Sequence, residues 1–262
     1  MNCIKLTEID STNSYLERNA HELPSPTLVT CGRQTAGRGQ RGNSWESEPG
    51  KNLTFSMLLR PDLLPAQQFY ISEAVALSIC DSLGEMCGVE CRVKWPNDIY
   101  AGDRKICGIL ISHSLSGSRI NHTVAGAGVN VNQDRFFSGA PNPVSVRQIT
   151  GREYPLDELL EDMAARIAAR VAALSSADAD ALASLHREYR NRLWRGDGKL
   201  YRFRDLRANP SAQTYFADPA QAPQGRDFLA RVLDVETSGH LILKPAESEE
   251  KLRFAFKEVA WL

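Results

Sequence analysis

What the chain lacks narrows it first. No apolar run among its 262 residues is long enough to cross a bilayer, and residues 1–10 show no basic segment leading into an apolar core. Neither a spanning helix nor a secretory leader is therefore expected, and the protein reads as cytoplasmic. It has almost no net charge, with 31 basic against 32 acidic residues, which argues against a general binder of nucleic acid or of anionic membrane. Any anion site must be local. It has no Cys-x-x-Cys pair: Cys3, Cys31, Cys80, Cys87, Cys91 and Cys107 are scattered, and Cys31, Cys80 and Cys107 fall inside apolar runs. They read as small buried hydrophobes in a reducing compartment, and the one metal-like spacing, Cys87 to Cys91, has no histidine beside it. Internal repeats and low-complexity tracts are also missing. With 42% hydrophobic and 24% charged residues the chain is an ordinary globular one, long enough for one substantial core and a small additional domain.

The most unusual stretch present is Gly37-Arg38-Gly39-Gln40-Arg41-Gly42. Glycine lets a backbone approach a ligand closely, and arginine supplies a planar fork of donors for phosphate or carboxylate. The spacing satisfies G-x-G-x-x-G, but a dinucleotide fingerprint opens a helix, and the residues after Gly42 hold a Pro49-Gly50 turn signal and no helical period. A kinase loop would need His-Arg-Asp and Asp-Phe-Gly elsewhere; a Walker A loop would need Gly-Lys before Ser or Thr. None is present. An anion clamp and a plain surface loop both stay open on these residues alone.

Along the chain, a strand around Ile4, Leu6 and Ile9 leads into Asp10-Ser11-Thr12-Asn13, four capping-type residues that announce a helix. Strands are expected over 27–31 and 52–59, and a helix from about Ala66 that ends at Gly84 or Gly88. Residues 93–111 read as a hairpin about Gly102-Asp103, with Lys94 and Asp98 at one end and Lys105 on the returning strand. A glycine-bearing strand over 123–131 and two amphipathic helices with stripes from Leu156 to Leu174 and from Leu182 to Leu193 follow. From Gly196-Asp197-Gly198 the pattern changes to short strands at 200–203, 228–235, 240–244 and 252–259. The fold class is α+β, with a mixed sheet packed with helices over 1–196 and a small β-barrel-like module over 197–262.

An Arg/Gly loop, a lysine-bearing hairpin, a Ser-Thr-Asn cluster and a Gly-rich strand are the parts that ATP-driven acyl activation needs. A carboxylate attacking an α-phosphorus gathers negative charge, so catalysis is alignment plus cations placed where that charge builds. Residues 34–45, Lys94-Trp95-Pro96-Asn97-Asp98, Lys105-x-x-Gly108-Ile109-Leu110 and Gly126-x-Gly128-x-Asn130, in that order, resemble the motif set of bacterial biotin protein ligases. The likeness extends over most of the chain and includes Ser11-Thr12-Asn13.

The resemblance implies a class II synthetase-like catalytic domain followed by an SH3-like C-terminal domain. It implies a two-step reaction in which biotin and ATP give biotinyl-5′-adenylate and pyrophosphate, after which biotin passes to a lysine of a biotin carboxyl carrier protein. It places Ser11, Thr12, Asn13 and Gln34 on the biotin head group, and Gly37, Arg38, Gly39 and Gln40 in a loop over biotin, with Gly108 beside it. Lys105, with Arg38, becomes the catalytic cation at the carboxylate and α-phosphate. Trp45 stacks on adenine, Arg41, Asn97 and Asn130 belong to the adenylate pocket, and Lys94 and Asp98 lie near the phosphates, Asp98 also touching a Mg²⁺ held mainly by phosphate. Many family members carry arginine where this chain has Gln40, leaving one cation fewer for the intermediate. The Ser-Thr-Asn cluster begins at residue 11, so no DNA-binding domain and no repressor function are expected. A homodimer is compatible with the apolar strands. Two rival readings are a lipoate or octanoyl protein ligase of the same core fold, and a non-enzymatic interaction module.

Overall fold

A computed structural model describes residues 1–39, 45–137, 142–207 and 225–262. Gln40 and Arg41 lie outside the described residues.

Seven strands form the main sheet: β1 (Asn2–Ile9), β2 (Thr27–Gln34), β3 (Leu53–Leu59), β4 (Arg92–Lys94), β5 (Asp98–Ala101), β6 (Arg104–Ser116) and β7 (Arg119–Val129). Their order is β1-β2-β3-β7-β6-β5-β4, with β1 and β2 parallel and every other pair antiparallel. The mixed α+β class expected from the pattern is therefore what the chain adopts. Among the described residues five α-helices accompany the sheet: α1 (Thr12–Asn19), α2 (Gln68–Cys87), α3 (Val146–Thr150), α4 (Leu156–Leu174) and α5 (Ala179–Asn191).

Strand periodicity sorts the two faces of this sheet, because successive side chains point to opposite sides. In β3, Leu53, Phe55, Met57 and Leu59 enter the large core beneath α2 and α4, as do Ala125, Ala127 and Val129 of β7 and Cys107 and Ile109 of β6. The alternate residues face α1, where Leu16, Ala20, Val29, Leu58 and Val124 make a smaller apolar cluster. Helix α2 is buried nearly all round, between the sheet and α4, which explains why its apolar residues are not confined to a stripe. The cysteines in the core are free and buried, and burial pushes the Cys80 thiol up to about 12.

Two details differ from the expected elements. The 93–111 hairpin turns at Gly102 as expected, but a second reversal at Trp95-Pro96-Asn97 separates β4 from β5. The strand expected over 252–259 is two, β11 (Leu252–Phe254) and β12 (Val259–Trp261), because Lys257 takes a left-handed φ of 72° that ends extended backbone between them. With β8 (Tyr201–Asp205), β9 (Arg226–Val235) and β10 (Leu241–Pro245) they form an antiparallel sheet ordered β11-β10-β9-β8-β12. Barrel closure is not among the described strand pairings.

The two sheets share one apolar cluster. Polar links cross it as well. Trp95 Nε1 donates to Gly239 O at 2.9 Å, and Arg190 of α5 pairs with Asp234 of β9 at 2.8 Å. Beside that pair, His186 Nδ1 lies 2.6 Å from Oε1 of fully buried Glu73, and its Nε2 lies 3.7 Å from Asp234. The hydrogen bond to Glu73 raises the His186 pKa, while burial raises that of Glu73. Both groups thus bind protons more tightly when folded. The His186 contribution is complete below the unfolded value of about 6.5 and is lost as pH rises through the folded value. Urea unfolding should accordingly show stability falling as pH rises above about 6.5. His186→Gln should flatten that slope and cost about 1–3 kcal/mol at pH 6.

Candidate active site

Three central strands build the floor of a pocket from the residues that face α1. Their register aligns two rows across β3, β7 and β6: Thr54, Gly128 and Gly108 in one, Ser56, Gly126 and Leu110 in the other. The glycines are there for space. A Cβ on Gly128 would lie 2.3 Å from the Trp45 indole, one on Gly108 would lie 2.9 Å from it, and one on Gly126 would lie 1.9 Å from Asn13 Oδ1. The first row therefore seats an aromatic ring and the second seats an amide.

The walls bring together most of the residues singled out from sequence. Ser11, Thr12, Asn13, Gln34, Arg38, Gly39, Trp45, Asn97, Lys105 and Gly108 all line one pocket, with Thr54, Phe55, Ile109, Leu110, Gly126, Ala127 and Gly128. At one end the groups are neutral and hydrogen-bonding. Ser11 caps α1, the Thr12 amide donates to Gln34 Oε1 at 2.9 Å, and Asn13 Nδ2 donates to Leu110 O at 3.1 Å. Gly37 does not line the pocket but lets the chain close above it, since Trp45 N donates to Gly37 O at 3.1 Å and a Cβ at Gly37 would meet Trp45 O at 2.9 Å.

The other end is cationic and aromatic. Lys105 Nζ is 2.6 Å from Asp98 Oδ1 and 5.6 Å from the centre of the Trp45 ring, with both charged side chains largely buried. Among the described residues the buried Trp45 indole N–H has no hydrogen-bond partner, which leaves it available to a ligand. Asn97 holds the returning strand by donating to Ile109 O at 2.6 Å. Arg38 sits at the rim, docked on α1 through Glu17 at 2.9 Å and Ser14 Oγ at 3.2 Å; Ser112 of β6 donates to the same Glu17 carboxylate at 2.9 Å.

Besides Gly37, three described residues expected at the site do not line this pocket: Asp98, which reaches it through its ion pair with Lys105, and Lys94 and Asn130. Lys94 turns away from it, donating to Tyr100 Oη at 2.8 Å and lying over the Tyr100 and Trp194 rings. Asn130 is buried and spends its Nδ2 on Val144 O at 3.2 Å, bracing the segment before α3. Conversely, sequence reading passed over Thr54 and Ser56, which look like ordinary strand residues until the register sets them opposite glycines. The signal was available: they are the polar positions of an otherwise apolar strand, on its alternate face.

The chain is similar to known proteins in sequence and in fold. Residues 6–130 match the model of the Biotin/lipoate A/B protein ligase family. The chain is 34% identical over 165 residues to the biotin--[acetyl-CoA-carboxylase] ligase of Paracoccus denitrificans, covering 61% of this chain and 68% of that protein. It is 34% identical over 125 residues to the bifunctional ligase/repressor BirA of Bacillus subtilis, of whose length it spans only 38%. The structure of a biotin protein ligase from Aquifex aeolicus in complex with biotin and ATP superposes with a TM-score of 0.71 at 21% identity, over 99% of this chain and 97% of that one. Fold, pocket and sequence together make this chain a member of the Biotin/lipoate A/B protein ligase family.

Burial lowers the Lys94 pKa to about 8, opposed by Asp98 and assisted by Lys105 and Arg195. A depressed folded value means that the associated stability is present above the unfolded value of 10.5 and is lost as pH falls through about 8. Chemical denaturation of the wild type should therefore show a gain on going from pH 8 to 9.5 that Lys94→Met lacks.

Proposed function

We propose that this protein is an ATP-dependent biotin protein ligase. The observation that carries the reading is the polarity of this pocket: neutral donors and acceptors at Thr12, Asn13 and Gln34, a glycine floor, Lys105 at the far end and Arg38 at the rim. Biotin has the same order of parts, a ureido ring, an apolar chain and a carboxylate. The family and the ligase names of its relatives support biotin and ATP as the substrates.

In this reading Ser11, Thr12, Asn13 and Gln34 hold the head group. Gly37, Arg38, Gly39 and Gln40 belong to the loop over biotin, and Gly108 admits the chain. The carboxylate oxygen attacks the α-phosphorus, forming the acyl–phosphate bond as the bond to pyrophosphate breaks. Lys105 stands where charge accumulates, and its Asp98 partner fixes the ammonium so that little reorganisation is needed during the step. Trp45 offers a ring face to adenine and its free N–H to a ligand oxygen, with Asn97 and Arg41 completing the adenylate pocket. Lys94 and Asn130 act from behind, through β5 and the segment before α3. An acceptor lysine of a biotin carboxyl carrier protein then attacks the acyl carbon, and AMP leaves.

Among the described residues no group of three or more His, Cys, Asp or Glu side chains could hold a metal. A Mg²⁺ would then be held mainly by ATP phosphates, with Asp98, already paired to Lys105, as its candidate protein contact, and it would screen phosphate charge. The catalytic unit is assigned to residues 1–196, and residues 197–262 to an SH3-like module. Of the two activities in the names of the bifunctional relatives we propose the ligase alone, because the pocket residues fall within the matched stretch.

The test is pyrophosphate release and labelling of a carrier domain with radiolabelled biotin. Biotin-dependent release is expected, and Lys105→Ala should lower it by about 10²–10³-fold. Labelling by lipoate or octanoate in place of biotin would assign the other branch of the family, and no ligand-dependent release would leave an interaction module.

A further inference from the structure

Behind the neutral end of the pocket lies a residue that touches no ligand space. Ser56 is fully buried on β3, between Val29 of β2 and Gly126 of β7, and its hydroxyl reaches both Thr12 and Asn13. The direction of these bonds can be worked out. Asn13 Nδ2 is committed to Leu110 O, so Asn13 meets Ser56 with its Oδ1 and can only accept there. The single Ser56 proton goes to Asn13. Thr12 Oγ1, 2.7 Å from Ser56 Oγ, must then donate to it. Gln34 Oε1, 3.2 Å from Thr12 Oγ1, has a second lone pair and could also take that proton, but the Thr12–Ser56 contact is shorter and would otherwise set two oxygens together with no hydrogen between them, so it claims the hydroxyl proton. Thr12 is left with lone pairs, not a proton, toward the pocket. The seat of Asn13 depends in turn on the missing side chain of Gly126.

We propose that Ser56 is a positioning and specificity-determining residue for the head group. It locks Asn13 and turns the Thr12 hydroxyl so that the pocket offers an acceptor to a ligand N–H, which selects a cyclic urea over an apolar ring on a similar chain. The inference rests on the ligase reading above and refines it.

Steady-state pyrophosphate release on the full chain tests it through separate Michaelis constants. Ser56→Ala should raise KM for biotin by roughly 10- to 30-fold, with KM for ATP and kcat within about threefold of wild type. Ser56→Cys, which keeps the size and a weak donor, should fall between the two and decides the matter if the alanine variant does not fold. Since Ser56 acts through Thr12, the loss in Ser56→Ala/Thr12→Val should be well below the product of the single losses. A biotin KM within twofold of wild type, an equal rise in KM for ATP, or multiplicative losses would overturn the role of Ser56 while leaving the ligase reading intact. A wild-type chain that releases no pyrophosphate with biotin would instead remove the ligase reading, and this inference with it.

Discussion

The arrangement depends on one constraint: three antiparallel strands must pair in a register that puts their glycines side by side on the face toward α1. Gly126 stands between Ser56 and Leu110, and Gly128 between Thr54 and Gly108. A slip of one residue would send Ala125, Ala127 and Val129 to the pocket and the glycines to the core, because side chains alternate faces. The apolar partners beneath α2 and α4 prevent such a slip. Core packing on one face thus guarantees an open floor on the other.

On that floor two chemistries are kept apart. The Asn13 row carries neutral hydrogen bonds, each with a partner, and its burial is tolerable because the donors and acceptors are matched. The Trp45 row carries a lysine whose charge is compensated by Asp98 inside a half-closed space. Removing an ion pair from water costs free energy that close geometry must offset, so the pair is weak evidence for stability and better evidence for pre-positioning.

Behind the cationic end the polar and aromatic groups continue toward the second sheet. Lys94 sits against Tyr100 and Trp194, and Trp194 packs on Trp261 of β12 at 5.2 Å between ring centres. Arg195 lies over Trp194 and donates to the Leu262 carbonyl at 3.1 Å. A charge buried among aromatic faces keeps part of its lost hydration through cation–π attraction, which is how Lys94 is tolerated so close to Lys105. The C-terminal strands accordingly support the wall that carries Asp98, beyond covering apolar surface.

Much of this was determined by sequence alone. Period and turn chemistry place the main strands and both long helices, since each depends on residues within a few positions. The four motif stretches, through their resemblance to the biotin protein ligase motif set, point to most of the residues that line the pocket before any geometry is known. Tertiary structure decided what lies at long sequence separation. Whether Lys94 faces ligand or aromatic box depends on the sheet face it occupies, and the turn at Trp95-Pro96-Asn97 sets that. Lys257 looks like any strand residue, yet its left-handed backbone lets β11 and β12 take opposite edges of one sheet. Ser56 is one polar residue in an apolar run, and only a register linking residues 13, 56, 110 and 126 makes it the hinge of a hydrogen-bond direction. Local interactions are written in neighbouring residues; polarity at a site belongs to groups that only folding brings together.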